Sequence, residues 1–121
     1  MKYLIDSNII IYHLNGNKAV TSFLRQNITQ CAISQITYLE VMSFAYSETE
    51  ANAVKQFLDQ FSLIDVTKPI TLACIKNRQI KKIKVPDNII AATAQVHELT
   101  LVTHNVSDFS ALQLKLQDIL G

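Results

Sequence analysis

Met1-Lys2-Tyr3-Leu4-Ile5-Asp6-Ser7-Asn8 opens the chain and decides how the rest is read. Tyr3, Leu4 and Ile5 form a short apolar run of the kind found in a strand buried on both faces. The run stops on a carboxylate. Ser7 and Asn8, both residue types that cap helix N-termini, then precede the apolar stretch Ile9-Ile10-Ile11-Tyr12-His13-Leu14. This pattern predicts strand, turn and helix, with Asp6 on the carboxyl edge of a parallel sheet, where open α/β sheets hold their ligands. Other carboxylates that reach the same edge are the feature to seek.

Outward from this unit, strands and helices alternate. Asn15-Gly16-Asn17 reads as a turn, 18–26 as a short helix with Val20, Phe23 and Leu24 on one face, and Cys31-Ala32-Ile33-Ser34 as a second strand. Ser34 can cap a helix over 35–46, in which Ile36, Leu39, Met42 (or Ser43) and Tyr46 recur at helical spacing and Glu40 lies close to the inward face. The next helix begins at Thr49-Glu50-Ala51-Asn52 and directs Val54, Phe57, Leu58 and Phe61 to the core. Leu63-Ile64-Asp65-Val66 is the third strand, and Pro69 opens a helix over 70–80. The helix started by Pro86-Asp87 is apolar nearly all round and therefore central. Leu99-Thr100-Leu101-Val102-Thr103 is the fourth strand, the loop His104-Asn105-Val106-Ser107-Asp108-Phe109 follows it, and 112–116 reads as a short edge strand. Such alternation predicts an α/β fold, with a central, mainly parallel sheet of four to five strands covered on both faces.

Length and composition agree. A chain of 121 residues suits a single domain, 1–121, with one sizeable core. With 49% hydrophobic and 17% charged residues it reads as a packed globule. The net charge of +1 excludes a global field that draws in nucleic acid, so any such binding needs a local patch. Cys31 and Cys74 lack metal or redox spacing and read as buried thiols of a reducing compartment. Asp6 interrupts the first apolar run, no signal-cleavage site follows, and no apolar stretch approaches the ~18 residues of a membrane span. The expectation is a cytoplasmic protein with no membrane segment.

Four acids stand at positions that this fold brings to one edge. Asp6 and Asp108 follow strands; Glu40 and Asp87 lie in the first turns of helices. Each has a plainer alternative: Asp6 as a helix cap, Glu40 as an exposed acid, Asp87 as compensation for a helix dipole, and Asp108 as a cap for the turn holding Phe109. Read as one pocket, clustered carboxylates call for a cation, and all-oxygen ligation selects Mg²⁺ or Mn²⁺ over zinc. Such a site can polarise a phosphodiester and activate water.

Three segments carry a family resemblance. Tyr3-Leu4-Ile5-Asp6-Ser7-Asn8 resembles the opening of PIN domains. Val85-Pro86-Asp87-Asn88-Ile89-Ile90-Ala91-Ala92-Thr93-Ala94 is similar to their central helix, and Leu101-Val102-Thr103-His104-Asn105-Val106-Ser107-Asp108-Phe109 to their last strand and loop. Among PIN domains, the pattern most resembles the VapC toxins of toxin–antitoxin pairs. The resemblance implies a PIN-like three-layer α/β/α sandwich and a metal-dependent endoribonuclease. Asp6, Glu40, Asp87 and Asp108 would surround Mg²⁺ or Mn²⁺, and Ser7, Thr103 and Asn105 match polar positions lining such sites. It also implies a small antitoxin partner, which would lay a basic segment over the acidic pocket, and a homodimer.

Lys76, Arg78, Lys81, Lys82 and Lys84 hold five of the eleven Lys and Arg residues and lie just before Asp87. They can seat an RNA backbone beside the acids, or form a solvated helix end. His13, His97 and His104 read as structural or solvent-exposed. The expected chemistry is direct attack of activated water on RNA, without a covalent enzyme intermediate. The alternative is a weakly active or inactive PIN-fold module that acts through protein partners. A phosphoryl-accepting receiver is disfavoured, because position 104 is His where a late lysine is needed.

Overall fold

The computed structural model describes residues 1–121. Its strands are β1 (Tyr3–Ile5), β2 (Cys31–Ser34), β3 (Ser62–Ile64), β4 (Thr100–Val102) and β5 (Leu116–Gln117). The helices are α1 (Ser7–Leu14), α2 (Lys18–Asn27), α3 (Gln35–Met42), α4 (Glu48–Leu58), α5 (Lys68–Ile80), α6 (Val85–Val96) and the single turn α7 (Val106–Phe109). The five strands form one sheet in the order β3-β2-β1-β4-β5, with every pair parallel.

The sheet divides the core by residue parity, as strand geometry requires. Tyr3, Ile5, Cys31, Ile33 and Val102 face one core with Ile9 and Ile10 of α1, Val20 and Leu24 of α2, Val41 of α3, and Val54 and Leu58 of α4. Leu4, Ala32 and Leu101 face the other, with Ile90, Ala91 and Ala94 of α6 and with Phe109 and Leu112. This is a three-layer α/β/α sandwich. The alanines of α6 let that helix lie close to the strands.

Several local boundaries differ from the expectation. Asp6, rather than Ser7 or Asn8, is the N-cap of α1. The helix expected over 35–46 stops at Met42, and Ser43 Oγ turns back to donate to Leu39 O at 2.6 Å. Its buried residues are Thr37 and Val41, while Leu39 is 60% exposed. The edge strand is Leu116–Gln117 rather than 112–116, because Leu112 turns into the core. Cys31 is buried but Cys74 only half-buried, and both are free thiols. No helix is long and apolar enough to cross a membrane.

The chain builds outward from β1 to β2 and β3, then returns to β4 on the other side of β1. The strand order therefore reverses between β1 and β4. Their carboxyl ends deliver Asp6 and Thr103 side by side at the switch point, where parallel sheets open a crevice.

Candidate active site

Asp6 is 4% exposed, and its carboxylate is held on both oxygens. The Ser7 backbone N–H donates to Oδ1 at 2.7 Å, and Thr103 Oγ1 donates to Oδ2 at 2.7 Å across the switch point. Thr103 Oγ1 in turn accepts from the Asn105 backbone N–H at 3.0 Å. Ser7 Oγ donates to Glu40 Oε1 at 2.8 Å and lies 3.1 Å from Thr37 Oγ1. The first turn of α1 thus fixes both Asp6 and Glu40. Asn8 Oδ1, in the same turn, is a buried oxygen with no hydrogen-bond partner.

Burial pushes the Asp6 carboxyl up to about 6; the bonds from Thr103 and Ser7 pull down, and the charges of Asp87 and Glu40 add to the rise. Asp87 is also raised, by burial first and then by Asp108 and Glu40, with Lys84 opposing. Asp87 therefore feels both Asp108 and Glu40, and Asp6 feels both Asp87 and Glu40. Exposure increases from buried Asp6 through half-buried Glu40 and Asp87 to exposed Asp108.

Donor chemistry and electrostatics fit a hard divalent cation: all the donors are oxygens, and the charges are alike. The acids stand within electrostatic reach of one another, but no three carboxylates, imidazoles or thiolates lie at common ligating distance. Asp87 is half-buried and Asp108 exposed, both at the outer side of the group.

A cleft of about 270 Å³ joins Asp87 and Asp108 to Lys81, Lys82, Ile83 and Lys84. Lys76 and Arg78, five and three residues before Lys81 on α5, do not line it. Lys81 Nζ donates to the backbone carbonyls of Ser107 and Asp108. Asn105 contributes its backbone, accepting from Asp108 N–H at 3.0 Å. The histidines serve elsewhere. His13, at the other end of α1 from Asp6, stacks on Phe57 at 4.3 Å, and His104 Nδ1 is 3.0 Å from Asp118 Oδ2. Sequence reasoning missed Thr37, although its place one turn before Glu40 was a usable signal. It also missed the amide cluster Asn77, Asn88 and Gln95, whose residue types read as surface.

A parallel α/β/α sandwich with acids gathered at its switch point is the architecture of a known class, and the PIN domain model matches residues 3–113: the chain belongs to the PIN domain family. Within that class it is 30% identical over 120 residues to Ribonuclease VapC of Haemophilus influenzae (strain 86-028NP), covering 90% of each chain. A toxin–antitoxin complex from Klebsiella pneumoniae contains a chain that matches with a TM-score of 0.87 at 34% identity, over 98% of both. VapBC-1 from nontypeable Haemophilus influenzae matches with a TM-score of 0.83 at 26% identity, over the full length of both.

Proposed function

We propose that this protein is a Mg²⁺- or Mn²⁺-dependent endoribonuclease, the toxin of a toxin–antitoxin pair. The observation that carries the reading is the anchored Asp6 at the β1–β4 switch point, electrostatically coupled to Glu40 and Asp87. Kinship with a protein named a ribonuclease, and with chains solved in toxin–antitoxin complexes, supports it. Asp6, Glu40, Asp87 and Asp108 would hold the cation, which when bound polarises the phosphodiester and activates water. Thr103 and the Ser7 N–H keep Asp6 aimed at the crevice, and Ser7 does the same for Glu40. Lys82 and Lys84 attract the RNA backbone to the cleft beside Asp87. Lys76 and Arg78 extend that basic strip along α5. The acidic pocket suits neutralisation by a basic segment of an antitoxin. Cytoplasmic residence and a homodimer belong to the same reading.

The test is cleavage of a pooled RNA substrate with Mg²⁺, with Mn²⁺ and with chelator. Wild type should cut only with metal, and Asp6→Asn or Asp87→Asn should lower the rate about 100-fold or more, since even supporting partners of metal ligands cost 10–100-fold. Equal trace cutting by all three proteins would contradict the reading. The likeness to a chain solved in a toxin–antitoxin complex also suits a second reading, a PIN-fold module that works through protein partners. Mn²⁺ binding by wild type that is lost in Asp87→Asn would count against it.

A further inference from the structure

We infer that Lys81 is a positioning residue that fixes the turn carrying Asp108, and that it is not one of the RNA-binding lysines. The inference rests on the metal-site reading above and adds to it how the outer pair of acids is kept in place.

The geometry begins at the end of α5. Lys81 caps that helix with extended backbone, φ −146° and ψ 141°, while its N–H donates to Asn77 O at 2.9 Å. Leaving the helix this way carries its side chain to α7. There the ammonium donates to Asp108 O and, at 3.2 Å, to Ser107 O. These carbonyls lie in a four-residue helix with no following turn of helix, and Ser107 O also accepts from Ser110 Oγ at 3.3 Å. A cation at a helix C-terminus is also favoured by the peptide dipoles. Two of the three ammonium protons are therefore engaged, and Lys81 is half-buried where Lys82 and Lys84 are exposed.

One turn earlier on the same helix, Asn77 holds α6. It is 3% exposed, and its Nδ2 donates to Asn88 Oδ1 at 3.1 Å and to Gln95 Oε1 at 2.9 Å. Asn88 Nδ2 donates to Cys74 O at 2.9 Å. Asn88 follows Asp87 directly. The last turns of α5 thus grip the third acid's helix through Asn77 and the fourth acid's turn through Lys81. Asp87 and Asp108 repel each other, and α7 is otherwise pinned mainly by Phe109, which is 1% exposed. Without Lys81, nothing polar ties Asp108's backbone to α5, and the repulsion is free to open the pair.

The test compares wild type with Lys81→Met, Lys81→Arg, Lys82→Met and Asp87→Asn. Mn²⁺ affinity is read by electron paramagnetic resonance without RNA. Binding to a single-stranded RNA is read against salt in chelator. Lys81→Met keeps the aliphatic stem and should weaken Mn²⁺ about tenfold, as loss of a supporting partner does, while leaving the salt slope unchanged. Lys81→Arg still offers donors to both carbonyls and should restore the affinity. Lys82→Met should spare Mn²⁺ and reduce the salt slope by about 0.7, the loss of one phosphate contact on a single strand. Wild-type Mn²⁺ affinity in Lys81→Met, together with a slope reduced as in Lys82→Met, would overturn the assignment. If Asp87→Asn alone loses Mn²⁺, the metal site stands and the role of Lys81 falls. If wild type binds no Mn²⁺, the metal site falls and takes this inference with it.

Discussion

Asp6 shows what a site residue costs the fold. Its carboxyl is shifted from 3.8 to about 6 by burial, so the folded state favours the neutral form. Below pH 3.8 the folded and unfolded chains are both protonated there, and the group carries no ionisation penalty. As pH rises through about 6 the folded chain must ionise a buried group, and the stability present at low pH is lost. A shift of this size corresponds to roughly 2–3 kcal/mol. Asp6→Asn should therefore be more stable than wild type by about that amount at pH 8 in chelator. The two should converge near pH 4. Denaturant titration at both values measures the difference, and added Mg²⁺ should narrow it by stabilising wild type alone. The position of Asp6 at the sheet's carboxyl edge was legible because it ends a buried strand. Its anchor Thr103 was legible by position only: the 2.7 Å bond joins residues 97 apart in sequence, and only the β1–β4 pairing brings them together.

Elements followed their hydrophobic pattern where one face meets a core, and departed from it where polar contacts intervene. The second strand falls on 31–34 as expected, because Cys31, Ala32 and Ile33 are apolar and all four residues are buried. In α3, spacing alone turns Leu39 inward. The structure instead turns in Thr37 and Val41, and Ser7 holds Glu40 beside them. The contact between α5 and α6 was the least legible. No hydrophobic spacing marks Asn77, Asn88 and Gln95, yet they bond to one another between the helices, with Gln95 Nε2 donating back to Asn77 Oδ1 at 3.1 Å. Asn77→Ala would leave the oxygen of buried Asn88 without its donor and remove two bonds from half-buried Gln95, while Asn88 Nδ2 keeps Cys74 O and Gln95 Nε2 keeps Gln113 O. The expected destabilisation is about 1–3 kcal/mol, the cost of a buried polar group left without its partner. Thermal unfolding would measure it. An exposed amide of α2 such as Gln26 should cost under about 0.5 kcal/mol when truncated.

For the whole molecule, charge distribution matters more than charge. A net charge of +1 gives no long-range pull on RNA, so association must depend on where the eleven Lys and Arg residues sit. The cleft places Lys82 and Lys84 beside Asp87 and Asp108, with Lys76 and Arg78 further back on α5. With Lys81 engaged by α7, four cations of this segment remain for phosphates. At about 0.7 of log–log slope per contact on a single strand, the salt dependence of RNA binding in chelator should not exceed a slope of about 3. Fluorescence anisotropy over a potassium chloride series measures it. A clearly steeper slope would mean that RNA also covers cations remote from the acids, such as Lys18 and Arg25, which line a concavity on α2. A slope near zero would remove the basic strip from the reaction and leave substrate capture to the acidic pocket and its cation. On the proposed function, Lys82 and Lys84 at the lip of the cleft would draw the RNA backbone to Asp87 and Asp108, and cations on other faces would compete with them for it.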